Sequence, residues 1–334
     1  MQAIDLRSDT VTLPVPAMRE AMVNAELGDD VYGEDPTVQA LEMQLANILN
    51  YPAALFVPTG TQSNLCALLS HCQRGEEYIT GSTAHTYLYE AGGAAVLGGI
   101  QPQPIPFQKN GTLDLNLVAG AIKPDDFHFA ITRLLCLENT RDGIPICLEY
   151  LQSARQLCDK QSLKLHLDGA RLFNAVVAMN VDPGEISRYC HSISICLSKG
   201  LGAPAGSVLC GDTTFINAAR RWRKMLGGGM RQSGILAAAG IYALDNHIDR
   251  LAEDHLRAEN LAKELTIIPQ LQGHIRCQTN MIFLDINHKT QQALQQYLLN
   301  VDIKVGTNRW VLHLGVDDGA AQKVIQETQA FFSE

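Results

Sequence analysis

From residue 53 to about residue 215, short apolar runs alternate with helical patterns, and this alternation constrains the fold more than any other feature of the chain. AALFVP (53–58), EYITG (77–81), RLLCLEN (133–139), LKLHLD (163–168) and SISICLS (192–198) predict strands. Helical patterns lie near 60–72, 84–93, 149–161 and 169–179. Such alternation predicts an α/β fold with a mostly parallel sheet covered by helices. The runs 163–168 and 192–198 are apolar almost throughout, as strands with both faces covered must be. In sheets of this kind ligands gather at the carboxyl ends of the strands, so the residues that close each run become the candidates for function.

After residue 229 the pattern changes. A long helical stretch, 231–266, leads into MIFLDI, a helix, IKVG, RWVLHL and a last helix, the pattern of a compact α+β unit. A chain of 334 residues is long enough for one large and one small domain. The expected division is a large domain over 1–249 and a small one over 250–334. The first fifty residues carry polar, Pro-rich and acidic loops (LPVP, GDDVYGEDP) and are expected to form an arm of the large domain.

Composition removes several classes of function. A net charge of −9 with no block of lysine and arginine argues against a nucleic-acid or anionic-membrane surface. The most apolar window, ILAAAGIYAL (235–244), is too short to span a bilayer. MQAIDLRSDTV lacks a basic region followed by an apolar stretch, so no secretory signal is expected. The nine cysteines are irregularly spaced, without a Cys-x-x-Cys pair, and several lie within apolar strands. They are expected to be reduced core residues rather than zinc ligands. The expectation is a soluble, cytoplasmic protein with no bound metal.

Four strand ends carry polar groups. Asp168 closes one run, Lys199 follows another, PTGTQSN (58–64) turns a third into a helix, and Glu138 and Asn139 end a fourth. Each has a plain use: Thr61 in a capped helix start, Asp168 as a cap, Lys199 reaching solvent. Each also has a chemical use. Gly60 and Thr61 offer N–H groups at the positive end of a helix, where a phosphate binds. Lys199 is an amine that can add to a carbonyl. Asp168 can hold a cationic or N–H-bearing ring. A phosphate cradle, an imine-forming lysine and a ring-binding carboxylate are together the set that holds pyridoxal 5'-phosphate (PLP).

DLRSDTVT, GDDVYGEDPTV, PTGTQSN, ENT, LHLDGAR, SICLSKGLGAPAGS and GGGMRQSG, in this order, are similar to the low-specificity L-threonine aldolases of bacteria. The resemblance runs from about Ile4 to the RWVLHL run. It implies a fold-type I PLP-dependent enzyme with a small amino acid as its partner. It also implies a homotetramer built from dimers, with active sites at dimer interfaces. The implied reaction cleaves L-threonine or L-allo-threonine to glycine and acetaldehyde. By the same resemblance Lys199 would carry the cofactor's aldehyde, Asp168 its ring nitrogen, and Gly60 and Thr61 its phosphate. His85 would stack on its ring. Ser8, Arg171 and Arg309 would grip the substrate carboxylate. Arg231 and Lys224 would add contacts on the phosphate side, and Tyr32 would approach a neighbouring subunit's site. The proton of the β-hydroxyl would go to His85, directly or through a water, with His128 the second candidate.

The chain departs from the family pattern in two places. Many relatives read ENTHNG where this chain has Glu138-Asn139-Thr140-Arg141-Asp142-Gly143, and Thr86 after the histidine is unusual. Two other readings remain open at this point: a PLP-dependent β-eliminating lyase acting on tyrosine or tryptophan, and a non-catalytic PLP-binding module.

Overall fold

The computed structural model describes residues 3–333. An N-terminal strand, β1 (Ile4–Leu6), precedes the large sheet. That sheet is built from β2 (Ala53–Val57), β3 (Glu76–Gly81), β4 (Gln101–Ile105), β5 (Ile131–Glu138), β6 (Lys164–Gly169), β7 (Ser192–Cys196) and β8 (Ser207–Gly211). Its order is β2-β8-β7-β6-β5-β3-β4. Neighbours from β7 to β4 run parallel, whereas β8 is antiparallel to both β7 and β2. All five expected runs form strands. Every residue of β7 is buried, which is why its sequence is short-chained or apolar throughout. Its serines do not stay unpaired: the Ser194 hydroxyl donates to Ser63 Oγ at 2.7 Å, and Ser192 lies between two histidines.

The helices follow local rules. Gly60–His71 starts where the Thr59 side chain accepts from the Gln62 N–H. Leu172–Met179 ends at Asn180, in the left-handed region at φ 52°. The expected helix over 84–93 is instead two short ones, His85–Leu88 and Gly93–Gly98. Between them Ala91 (φ 52°) and Gly92 (φ 67°) turn the chain out of helical geometry. The stretch 231–266 is likewise divided, into Gly234–Asn246 and Leu251–Ile267.

The C-terminal part contains β9 (Ile275–Gln278), β10 (Met281–Leu284), β11 (Ile303–Val305) and β12 (Arg309–Val311). An antiparallel sheet of order β12-β10-β9 packs against Leu251–Ile267, and the helices His288–Asn300 and Asp318–Ser333 complete the unit. The strand β11 pairs in parallel with β1, Leu6 opposite Val305. Leu6, Leu261, Val324 and Trp310 share one buried cluster, separate from the core under the large sheet. The chain therefore begins on the C-terminal unit. Residues 7–10 cross from there toward the carboxyl ends of β6 and β7, and this crossing positions part of the site.

Among the described residues no helix is long and apolar enough to cross a membrane. All nine cysteines are free thiols and seven are buried.

Candidate active site

A cleft of about 630 Å³ lies over the carboxyl ends of β5 to β7, closed on its other side by β10 and β12. Ser8, His85, Arg171, Lys199 and Arg309 all line it, with Glu138. Asp168 lies just below, 3% exposed. Lys199 is held on a tight turn after β7. The Gly202 N–H donates to Lys199 O at 2.8 Å, with Gly202 at φ 77°. A side chain at Gly200 would come within 3.0 Å of Leu251, so the small residues after the lysine are needed for packing.

Asp168 Oδ1 accepts from the Ala170 N–H at 3.1 Å, and Oδ2 from Asn64 Nδ2 at 2.8 Å. The same Asn64 nitrogen donates to Glu90 Oε1 at 2.8 Å, and that oxygen meets His85 Nδ1, also at 2.8 Å. The His85 backbone N–H donates to Glu138 Oε2 at 2.9 Å. His85 is thus fixed at both its backbone and its ring. The Glu90 hydrogen bond raises the His85 pKa above the ordinary 6.5 and outweighs burial, which would lower it; Asp168 adds to the rise and Lys199 opposes it. Burial raises the Glu90 carboxyl, with the bonds from His85 and Asn64 pulling the other way. Because Nδ1 faces Glu90, Nε2 is the nitrogen left for the cleft. His85, Glu90 and Asp168 offer ligand atoms within 4.8 Å of one another, the spacing of a metal site. Asn64, however, donates to both carboxylates, so the place of a cation is taken by two N–H groups.

The opposite wall carries the cations. Arg171 grips Asp9 in a bidentate pair, Nε to Oδ2 at 2.8 Å and Nη2 to Oδ1 at 2.6 Å. Burial would raise the Asp9 carboxyl, but the Arg171 charge and hydrogen bonds outweigh it and hold Asp9 at about 2. Arg309 makes no ion pair among the described residues. Burial and the neighbouring Arg171 charge both lower its pKa. Asp9 cancels one of the two guanidinium charges, and Arg309 leaves one net positive charge for an anion.

A family described as β-eliminating lyase matches residues 5–288. The low specificity L-threonine aldolase of Escherichia coli (strain K12) is 54% identical over 333 residues, covering 99% of each chain. The chain belongs to the low-specificity L-threonine aldolase family. The solved threonine aldolase of Leishmania major shares its fold at a TM-score of 0.83 and 21% identity, covering 98% of this chain and 99% of that one. A serine palmitoyltransferase of S. paucimobilis, solved with bound PLP, shares it at a TM-score of 0.74 and 17% identity, over 98% and 87% of the two chains.

PLP needs a phosphate site, a partner for its ring nitrogen and an amine for its aldehyde. At the start of Gly60–His71, Thr59 caps only Gln62, which leaves the Gly60 and Thr61 N–H groups for an outside acceptor. A Cβ on Gly60 would lie 3.6 Å from Ser207 Oγ, a buried hydroxyl with no partner among the described residues. Donors without acceptors at a helix start suit a phosphate, the buried Asp168 suits a ring N–H, and Lys199 suits an aldehyde. The residues present fit the cofactor.

Other candidates lie elsewhere. His128 is exposed, bound to Asp126 at 2.6 Å, in the loop before β5. The site is at the carboxyl end of that strand, whose eight residues separate the ends by about 25 Å. Within one chain His128 therefore does not reach the cleft. Tyr32 is 75% exposed, with the Arg231 guanidinium 5.8 Å above its ring and Arg231 itself bound to Asp29. Lys224 ends the helix Thr213–Met225 beside Gly229. None of the three lines the cleft, although their loop touches the helix start through Gln62 Nε2 and Leu226 O at 3.2 Å. The departure Arg141 does line it, donating to Thr83 Oγ1 at 2.9 Å and lying over Phe107. Thr86 is buried against Thr80 and Cys136, away from the substrate side.

Sequence reasoning missed Asp9, Asn64 and Glu90. Asp9 and Asn64 sit inside strings that carried the resemblance (DLRSDTVT, PTGTQSN) and Glu90 lies five residues after His85; a buried polar residue in such a place is the signal that could have found it.

Proposed function

We propose that this protein holds PLP and cleaves L-threonine and L-allo-threonine to glycine and acetaldehyde by breaking the Cα–Cβ bond. One observation supports it most: Lys199, His85 and an unpaired Arg309 face one cleft whose floor is Asp168. Lys199 would hold the cofactor's aldehyde, Asp168 its ring nitrogen, Gly60 and Thr61 its phosphate, and His85 one face of its ring. When bound, PLP supplies an aldehyde for the substrate amine and a protonated ring that takes up the electron pair released at Cα.

The remaining work falls to the chain. Arg309, with Arg171 and Ser8, holds the substrate carboxylate and so decides which Cα bond stands perpendicular to the ring. His85 Nε2 takes the proton of the β-hydroxyl while Glu90 holds Nδ1–H, so the oxygen closes to the aldehyde as Cα–Cβ opens. A proton returned to Cα completes glycine. His85 is preferred to His128 as the base because it lies in the same chain's cleft. Three anchors fix the α-centre: amine, carboxylate and the perpendicular bond. Only the hydroxyl is gripped at the β-centre, and one methyl in a pocket discriminates by only about 1–3 kcal/mol.

A homotetramer built from dimers, in the cytoplasm, completes the reading. Exposed Leu13, Val23, Tyr89, Val96 and Met225 support burial against further copies. Tyr32, Lys224 and Arg231 would then serve a neighbouring copy's site. Nine free thiols suit a reducing compartment.

The deciding experiment loads the protein with PLP and measures acetaldehyde and glycine from all four threonine stereoisomers. Both L-epimers should react and neither D-isomer should. Lys199→Ala should lose the yellow absorbance and turnover together. Cleavage of D-threonine would overturn the carboxylate anchor. Release of indole or phenol from tryptophan or tyrosine would instead point to β-elimination, and bound PLP without turnover of any amino acid to a binding module.

A further inference from the structure

Beneath the cleft lies a line of polar side chains with no part in the chemistry above. From Asn64 Oδ1 it runs to His166 Nε2 at 3.4 Å, from His166 Nδ1 to Ser192 Oγ at 2.8 Å, and from Ser192 Oγ to His71 Nε2 at 2.7 Å. His71 ends it, stacked on Phe215 with ring centroids 4.4 Å apart. Asn64, His166 and Ser192 are all buried in the floor of the site. Burial holds both imidazoles neutral, His166 at about 4 and His71 well below 6.5. A neutral imidazole has one N–H, and a serine hydroxyl has one hydrogen. The line of side chains can therefore point in two directions, and the Ser192 carbonyl, which also bonds His166, is a competing acceptor for its proton.

Asn64 selects between them. Its Nδ2 donates to both Asp168 and Glu90, so its Oδ1 must face His166. An acceptor there favours the His166 proton on Nε2. His166 Nδ1 then accepts from the Ser192 hydroxyl, and His71 Nε2–H donates to Ser192. The reverse order would set the Nε2 lone pair against an amide oxygen.

We propose that Asn64 is a positioning residue, locked with its NH₂ toward Asp168 and Glu90 by a one-directional hydrogen-bond chain, His71 to Ser192 to His166 to Asn64. Its consequence for the site rests on the PLP reading. Two buried carboxylates with oxygens within 4.8 Å of each other repel unless a donor lies between them. One N–H on each supplies that donor and fixes how Asp168 is turned toward the ring nitrogen it would hold. The order of the chain itself does not depend on any cofactor.

Long-range ¹H–¹⁵N histidine spectra of the cofactor-free protein at pH 7 test the direction. His71 and His166 should both be neutral and protonated on Nε2. A charged ring, or His166 protonated on Nδ1, overturns the proposal. Asn64→Leu removes the Nε2 partner, so an Nδ1–H population of His166 should appear; an unchanged spectrum also overturns it. Asn64→Asp keeps the shape but loses the paired donors, and should weaken PLP binding about tenfold or more. Wild-type affinity in that variant would refute the positioning role. Failure of the unaltered protein to bind PLP would sink the proposed function alone, since the tautomers are read without it.

Discussion

Asp9→Asn separates the role of charge in the anion wall from that of shape. Asp9 is fully buried and the Arg171 side chain is 13% exposed. The Asp9 carboxyl lies at about 2 in the folded protein against 3.8 for the free group. At 1.36 kcal/mol for each pH unit that gap corresponds to ~2 kcal/mol of stability. Because the folded value is the lower one, the contribution is complete above pH ~4 and is lost as pH falls through 3.8 toward 2. At pH 3 about half of it should remain. Asparagine keeps the volume and one acceptor but leaves the Arg171 charge buried without a partner, and breaking such a pair costs about 3–5 kcal/mol when nothing replaces it. The retained acceptor places the expected loss at pH 7 at ~2–4 kcal/mol.

Urea unfolding of both proteins at one protein concentration, at pH 7 and pH 3, measures this. The difference should be clear at pH 7 and smaller by about 1 kcal/mol at pH 3. Turnover should fall as well, since Arg171 loses the contact that aims it. A stability difference that does not change with pH would show that Asp9 acts through shape alone. No difference at pH 7 would refute the idea that Asp9 anchors Arg171.

Two further substitutions probe the walls separately. Since the Glu90 bond raises the His85 pKa, and neutral His85 is the base, kcat/KM should rise with pH along a limb above 6.5. Glu90→Gln should move that limb to lower pH, and a limb that stays in place would remove His85 as the titrating base. Arg309→Leu should raise KM for threonine by about 10–100-fold, the worth of a hydrogen bond to a charged group, with PLP binding nearly unchanged; unaltered KM would mean that β12 does not close the site.

The strand ends were legible because they depend on local pattern. An apolar run closed by Asp168 or Lys199 puts that residue at the carboxyl end of a parallel sheet by topology alone, and the structure places both there. What stayed hidden depends on non-local pairing. QPQPI, with two prolines, is not among the expected strands, yet it forms β4, an edge strand, where a missing N–H is tolerated. IDL has no strand signal of its own; it becomes β1 by pairing with residues 303–305, and this brings Asp9 to Arg171. Glu90 belongs to an expected continuous helix, where it would lie more than one turn beyond His85. The break at Ala91 and Gly92 ends that helix early, and Glu90 folds back to the imidazole. His128 shows a limit of another kind, because within one chain it does not reach the cleft. It precedes β5, and in a parallel sheet the residues leading into a strand lie at the end away from that chain's own ligand site. That placement could have been read from the order of the elements alone, and it leaves His85 as the imidazole that this chain brings to its own cleft.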